Sequence, residues 1–142
     1  MPSHFFIPHS LALHEQQNLL CVADRENLRI QCFDLNGNNI VQINSEFGPI
    51  YGVAFASNNA TTLFAVNGYN SRSETQFEKK VFLFDVKTGN SIGAINLNND
   101  AMTPHDIAVS YDSSEIYVAD LNPSAVFKYV LVNYKSKLRI SS

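Results

Sequence analysis

Short apolar runs alternate with polar, turn-forming clusters along the whole chain. Segments of four to eight residues rich in Val, Ile, Phe and Tyr are separated by groups of Asn, Asp, Gly and Ser. That pattern predicts strands joined by tight turns. Residues 8–13, 19–24, 29–35 and 40–43 read as one set of strands, and Asn36-Gly37 predicts a hairpin between the last two because both residues tolerate positive φ. Residues 51–55, 63–67, 80–86 and 91–95 read as a second set, with a turn at Lys87-Thr88-Gly89-Asn90. Residues 104–109, 115–120 and 125–130 follow. No long segment places apolar residues at helical spacing, so the fold class expected is all-β.

The sets repeat one another. Pro8-His9-Ser10-Leu11-Ala12-Leu13 leads to Cys21-Val22-Ala23-Asp24, and Pro104-His105-Asp106-Ile107-Ala108-Val109 leads to Tyr117-Val118-Ala119-Asp120. His9 stands 15 positions before Asp24, and His105 stands 15 before Asp120. Between them, Tyr51-Gly52-Val53-Ala54-Phe55 and Leu63-Phe64-Ala65-Val66-Asn67 make a third copy with Tyr51 in the histidine's place. A period of roughly 40–55 residues with four short strands per copy is the signature of propeller blades. The chain then reads as one partial β-propeller over residues 1–142, with blades near 5–46, 47–98 and 101–142. Propellers usually close with about four to eight blades. The expectation is therefore a piece of a ring, or a chain that pairs with another. A sandwich would not need one pattern three times.

Composition narrows the function. The 142 residues are 45% hydrophobic and 16% charged, which excludes a disordered chain. A net charge of −3 argues against a nucleic-acid partner. No apolar run approaches a membrane span, and the first residues do not read as a secretory signal. There is no phosphate-binding Gly-rich loop, no CxxC and no HExxH.

The candidate chemistry lies at matched repeat positions. In a propeller the first strand of each blade lines the axis, so His9 and His105 converge there. A single strand histidine is usually a structural, hydrogen-bonded residue. Two in matched Pro-His pairs favour zinc, which takes three or four N, S or O ligands. Asp106 points away from the histidine side, where it suits a hard cation such as calcium or a purely structural role. Arg25 ends a strand at a blade tip and suits a carboxylate, or it is a solvated loop arginine. Cys21 and Cys32 are 11 apart across a predicted hairpin, open to a disulfide or to two buried thiols. Asn59-Ala60-Thr61 is a glycosylation sequon.

Residues 8–13, the stretch Cys21-Val22-Ala23-Asp24-Arg25-Glu26-Asn27-Leu28-Arg29-Ile30-Gln31-Cys32-Phe33, Phe64-Ala65-Val66-Asn67-Gly68 and Pro104-His105-Asp106-Ile107 together resemble the C-terminal half of the peptidyl-α-hydroxyglycine α-amidating lyases. This is the lyase domain of peptidylglycine α-amidating monooxygenase, a six-bladed propeller of NHL-type repeats, and the resemblance runs from Phe6 to Leu131. It implies cleavage of a peptidyl-α-hydroxyglycine to a peptide amide and glyoxylate by metal-assisted elimination. It implies that His9 and His105 are two of three zinc histidines, that Arg25 is an active-site arginine on the substrate, that Asp106 is a ligand of structural calcium, and that Cys21 and Cys32 pair. The family's first zinc histidine, a catalytic tyrosine in a "DGYCN" segment and a second active-site arginine lie upstream, without counterparts here. Tyr69 lies in the wrong blade to replace that tyrosine. Thr103 stands where the family often has methionine, with Met102 beside it. The cysteine pair and the sequon together favour the secretory pathway, and the resemblance implies an upstream propeller half or a monooxygenase domain as partner. The expected outcome for the chain alone is weak zinc binding and little turnover. The alternatives are a non-catalytic NHL-type module that binds a protein or peptide, and a structural half-propeller that pairs with a second chain.

Overall fold

Each repeat folds into one antiparallel sheet of four strands, hydrogen-bonded in chain order. The computed structural model describes residues 4–56, 61–132 and 139–141. The first sheet holds β1 (Pro8–His14), β2 (Leu19–Asp24), β3 (Arg29–Asp34) and β4 (Asn39–Asn44). The second holds β5 (Ile50–Phe55), β6 (Thr62–Asn67), β7 (Lys80–Asp85) and β8 (Asn90–Asn96). The third holds β9 (Pro104–Val109), β10 (Glu115–Leu121), β11 (Ser124–Val132) and β12 (Arg139–Ser141). β5 touches both β1 and β9, so the leading strands of the three sheets lie side by side, as around a propeller axis. The architecture is a partial propeller of three blades.

The middle blade explains its own sequence. Along β6, Leu63 and Ala65 face the first blade, while Phe64 and Val66 face the third. Along β7, Phe82 and Phe84 face the first blade, while Val81 and Leu83 face the third. Both faces are buried, so these strands read as unbroken apolar runs instead of alternating ones. Against the first face pack Ala23, Ile30, Cys32 and Ile43, and against the second Ile107, Ile116, Val118 and Tyr129. Cys21 and Cys32 stand opposite each other on β2 and β3 and form a disulfide. This decides between the bridge and the buried thiols.

One turn differs from expectation. The hairpin at Asn36-Gly37 forms, but of the pair only Gly37 has positive φ, at 85°. Gly37 N–H donates to the Asp34 carbonyl at 3.0 Å, and the pairing of β3 with β4 slips by one residue between Cys32 and Phe33. The Asp34 carboxylate accepts from the N–H groups of Asn36 and Asn38, at 3.0 and 2.8 Å. These side-chain bonds select a type I turn followed by a glycine bulge over the two-residue hairpin with both central residues at positive φ.

Candidate active site at the propeller axis

The same irregularity occurs on the leading strand of each blade. Pro8 pairs with Asp24 and Ser10 with Ala23, which leaves His9 as an extra residue. Ile50 pairs with Asn67 and Gly52 with Val66, which leaves Tyr51. Pro104 pairs with Asp120 and Asp106 with Ala119, which leaves His105. A β-bulge re-aims a side chain out of the strand's alternation. Three bulges at matched positions bring His9, Tyr51 and His105 together. Ring centroids of His9 and His105 are 4.8 Å apart, and Tyr51 lies 4.9 Å from the first and 5.1 Å from the second.

The residue opposite the start of each bulge holds the chain that enters it. Asp24 is fully buried and accepts from Phe6 N–H at 2.7 Å and from Arg29 Nε at 2.7 Å. Asp120 accepts from Thr103 N–H at 3.0 Å and from the Thr103 hydroxyl at 2.9 Å. In the middle blade, Asn67 Nδ2 donates to the carbonyls of Phe47 and Glu78, at 2.7 and 2.9 Å. The recurring Asp or Asn that marked the repeats is thus a clamp that sets the entry into each leading strand. Thr103 is committed to Asp120, and the neighbouring Met102 is 53% exposed.

Tyr51 is the hub. Its backbone carbonyl lies 2.7 Å from His9 Nδ1. A carbonyl only accepts, so Nδ1 carries the proton and the Nε2 lone pair is left for another partner. Its hydroxyl donates to the Tyr69 carbonyl at 2.8 Å, while the Tyr69 side chain is exposed. Burial pushes the Tyr51 phenol above its ordinary pKa, with Arg25 opposing and Glu26 and Tyr69 adding to the rise. Burial, followed by His9 and Arg25, pulls the His105 imidazole below its ordinary value, and Asp106 offsets part of this. The lowered His105 value favours its neutral imidazole, the form that ligates metals. Gly68 lies where a Cβ would stand 2.6 Å from Tyr51 Cδ2 and 2.8 Å from the Pro104 carbonyl oxygen. Only glycine lets β6 end so close to the hub.

Arg25 begins a 3-10 turn, Arg25–Asn27, closed by Leu28 at φ 51°. Its guanidinium carbon sits 5.0 Å from the Tyr51 ring centroid, a cation–π contact that sets it over the histidine pair's neighbour. Its Nε pairs with Glu26 at 2.9 Å. Asp106 is exposed on the other side of β9 and accepts from Ile107 N–H at 2.9 Å. A Cβ at Gly52 would come within 3.1 Å of its Oδ1. Asn59 lies outside the described residues.

The donor set fits zinc in part. Two imidazoles meet, and a backbone carbonyl orients one of them, the usual outer support of a metal-bound histidine. Among the described residues no three His, Cys, Asp or Glu side chains gather into a complete site. For calcium, Asp106 offers one carboxylate where such an ion takes six to eight oxygens.

The sequence singles out the histidines, Arg25, Asp106 and the cysteines. It does not single out the bulges, the Tyr51 hub or the Glu26 contact. The alignment of repeats already put Tyr51 in the histidine position, and that was the one available signal for it.

The NHL repeat pattern matches residues 7–33. The chain is 36% identical over 138 residues to peptidyl-alpha-hydroxyglycine alpha-amidating lyase 1 of Drosophila melanogaster, covering 91% of this chain and 26% of that protein. It is 38% identical over 135 residues to peptidyl-glycine alpha-amidating monooxygenase A of Xenopus laevis, covering 90% of this chain and 14% of that one. The chain therefore spans about a quarter or less of these two relatives. Hydrazine synthase of Kuenenia stuttgartiensis superimposes with a TM-score of 0.64 at 14% identity, over 83% of this chain and 31% of that one, a likeness of fold alone.

Proposed function

We propose that this chain, similar over nine tenths of its length to peptidyl-α-hydroxyglycine α-amidating lyases, carries part of the active site of such a lyase. The observation behind this reading is the meeting of His9 and His105, from the first and third blades, at 4.8 Å beside the Tyr51 ring that Arg25 covers.

In this reading His9 and His105 hold zinc, His9 through Nε2 because Nδ1 donates to the Tyr51 carbonyl. Zinc bound there would supply a Lewis acid for the substrate's α-hydroxyl. Arg25 keeps its Nη groups turned to no described partner and orients the substrate carboxylate through them. Tyr51 keeps its proton, because burial raises its pKa and its hydroxyl donates to Tyr69. It is a wall of the site and not its base. The reaction breaks the bond between the amide nitrogen and the α-carbon. The α-hydroxyl oxygen becomes the aldehyde oxygen of glyoxylate, and its proton passes overall to the amide nitrogen. The base that removes that proton and the remaining zinc ligand come from outside the described residues, in a propeller half or monooxygenase-linked chain that completes the ring. Asp106 is proposed as one ligand of a structural calcium, completed by backbone carbonyls and water. A disulfide and a sequon suit the secretory pathway.

The experiment is a zinc titration of the purified chain with a glyoxylate-release assay on a peptidyl-α-hydroxyglycine. The expected result is weak zinc uptake, lost in His9→Ala and His105→Ala, with little turnover until the complementary half is supplied. Metal uptake unchanged by both substitutions would favour the non-catalytic NHL-type module. Robust turnover by this chain alone would refute the need for an outside base.

A further inference from the structure

The Glu26 carboxylate is held by two arginines from different blades. Arg25 Nε lies 2.9 Å from Oε1, and Arg72 Nε lies 2.6 Å from Oε2. The Glu26 side chain is only 5% exposed, whereas that of Arg72 is 53% exposed. Arg72 comes from the loop between β6 and β7 of the middle blade and crosses to the first, where its guanidinium stacks on Phe6 at 4.0 Å. The loop is preorganised. Gln76 donates to the carbonyls of Asn70 and Ser73, at 3.2 and 3.1 Å, and Asn70 Oδ1 accepts from Arg72 N–H at 3.1 Å. The loop also follows directly on Gly68 and Tyr69, which the Tyr51 hub holds.

Two cations thus share one anion. The cluster keeps one net positive charge, and the Nη groups of both arginines lack a hydrogen-bond partner among the described residues. A guanidinium flattened on an aromatic ring and pinned at Nε presents its two Nη groups as a fixed fork, which matches a carboxylate. Arg25 faces the Tyr51 ring, and Arg72 lies on the far side of Glu26, toward Phe6. A ligand that placed one carboxylate at Arg25 would pass its next polar group close to Arg72.

We propose that Arg72, backed by Phe6 and Glu26, forms a specificity subsite that takes an acidic side chain on the residue preceding the substrate's terminal α-hydroxyglycine. This inference rests on the lyase reading above. It adds that the preferred peptides are acidic at that residue, and that Glu26 fixes the spacing between the two carboxylate sites.

The test uses the full 142-residue chain at low ionic strength. Three non-reacting peptides serve as probes: acetyl-Ala-Glu-Gly, acetyl-Ala-Gln-Gly and acetyl-Ala-Lys-Gly, whose terminal glycine carboxylate stands for that of α-hydroxyglycine. Dissociation constants are measured by NMR, following the Nε–H signals of Arg25 and Arg72. The Glu peptide is expected to bind about 5- to 10-fold more tightly than the Gln peptide, with the Lys peptide weakest. Arg72→Gln should bring the three together, and Arg72→Lys should keep part of the preference. Arg25→Gln should weaken all three alike. Because Arg72 is a half-exposed loop residue, the variants are expected to fold, which retention of the folded NMR spectrum checks. Equal binding of Glu and Gln peptides to the unaltered chain, or a preference that survives Arg72→Gln, overturns the subsite and leaves the lyase reading standing. No binding of any peptide and no movement of the Arg25 signal overturns the lyase reading, and the subsite with it.

Discussion

Gly68→Ala is the sharpest test of the Tyr51 hub. The added Cβ would stand 2.6 Å from Tyr51 Cδ2, 2.8 Å from Cε2 and 2.8 Å from the Pro104 carbonyl oxygen. Restoring an ordinary 3.4 Å contact requires the ring to give by 0.8 Å. It has no free direction. His9 and His105 lie at 4.9 and 5.1 Å, Arg25 covers it at 5.0 Å, and the hydroxyl is tied to the Tyr69 carbonyl. Pro104 immediately precedes His105, so yielding there moves the second imidazole as well. Overpacking a filled site costs about 1–3 kcal/mol. Disturbing the support of metal-bound imidazoles typically lowers affinity by about 10- to 100-fold. The assay is urea unfolding with a zinc titration of the same preparations. Gly93→Ala in β8 is the control, because a Cβ there meets nothing within 4 Å and should leave zinc binding alone. A Gly68→Ala chain as stable as the parent, with the same zinc affinity, would refute the claim that Gly68 sets the geometry around Tyr51.

Three further outcomes follow from the geometry. Replacing both Cys21 and Cys32 by Ser opens an 11-residue loop and should cost about 3 kcal/mol, read as a lower urea midpoint that added reductant no longer changes. Burial pushes the Asp24 carboxyl up, but hydrogen bonds from Asn27, Phe6 and Arg29 outweigh it, so the native pKa is lowered. Its contribution is in place above about pH 4 and is lost as pH falls toward the lowered native value. Asp24→Asn should therefore flatten stability against pH in the acid range, and at neutral pH should cost about 3 kcal/mol by removing the carboxylate 2.7 Å from the buried Arg29, which keeps its bonds to Gln42 and the His4 carbonyl. An unchanged acid slope would contradict this. Leu28 closes a 3-10 turn at φ 51°, as Asn18 does at φ 50°, but lacks the short polar side chain whose local hydrogen bonds ease that conformation. Leu28→Asn should raise stability by about 0.5–1 kcal/mol in the same unfolding assay.

The blades were legible because repeats expose positions that a single strand would hide. Asp24, Asn67 and Asp120 align in sequence and turn out to do one job, holding the segment that enters a leading strand. His9 and His105 were legible for the same reason. The middle strands were legible as strands, yet their two-sided burial was inferred from the fold, since Leu63-Phe64-Ala65-Val66 carries no alternation. The hairpin at Asn36-Gly37 was legible, but not its turn type, because Asp34, two residues before Asn36, captures the turn's N–H groups and stabilises one of the alternatives. The bulges were invisible. A one-residue slip leaves no mark in a pattern read at period two, and register is settled only by both strands together. Arg72 was invisible for another reason: its contact to Glu26 joins loops 46 positions apart, and nothing in either loop announces the other.

The bulges also explain how a repetitive scaffold produces an unsymmetrical site. Ordinary alternation would commit every residue of β1, β5 and β9 to one blade face or the other. One extra residue at the same point of each strand frees a single side chain per blade without disturbing the packed faces, because Ala12, Val53 and Ile107 still enter the two cores. What occupies the freed position then differs by blade. Histidine in the first and third places two imidazoles side by side, the ligands of the proposed zinc, whereas tyrosine in the second supplies a ring beside them, a carbonyl to orient His9 and a hydroxyl to hold the loop that bears Arg72. A phenylalanine at position 51 would keep the spacing and the carbonyl but release Tyr69. Tyr51→Phe should therefore preserve zinc uptake while eroding the Glu-over-Gln peptide preference that depends on Arg72. Loss of zinc uptake with the preference intact would invert that division of labour.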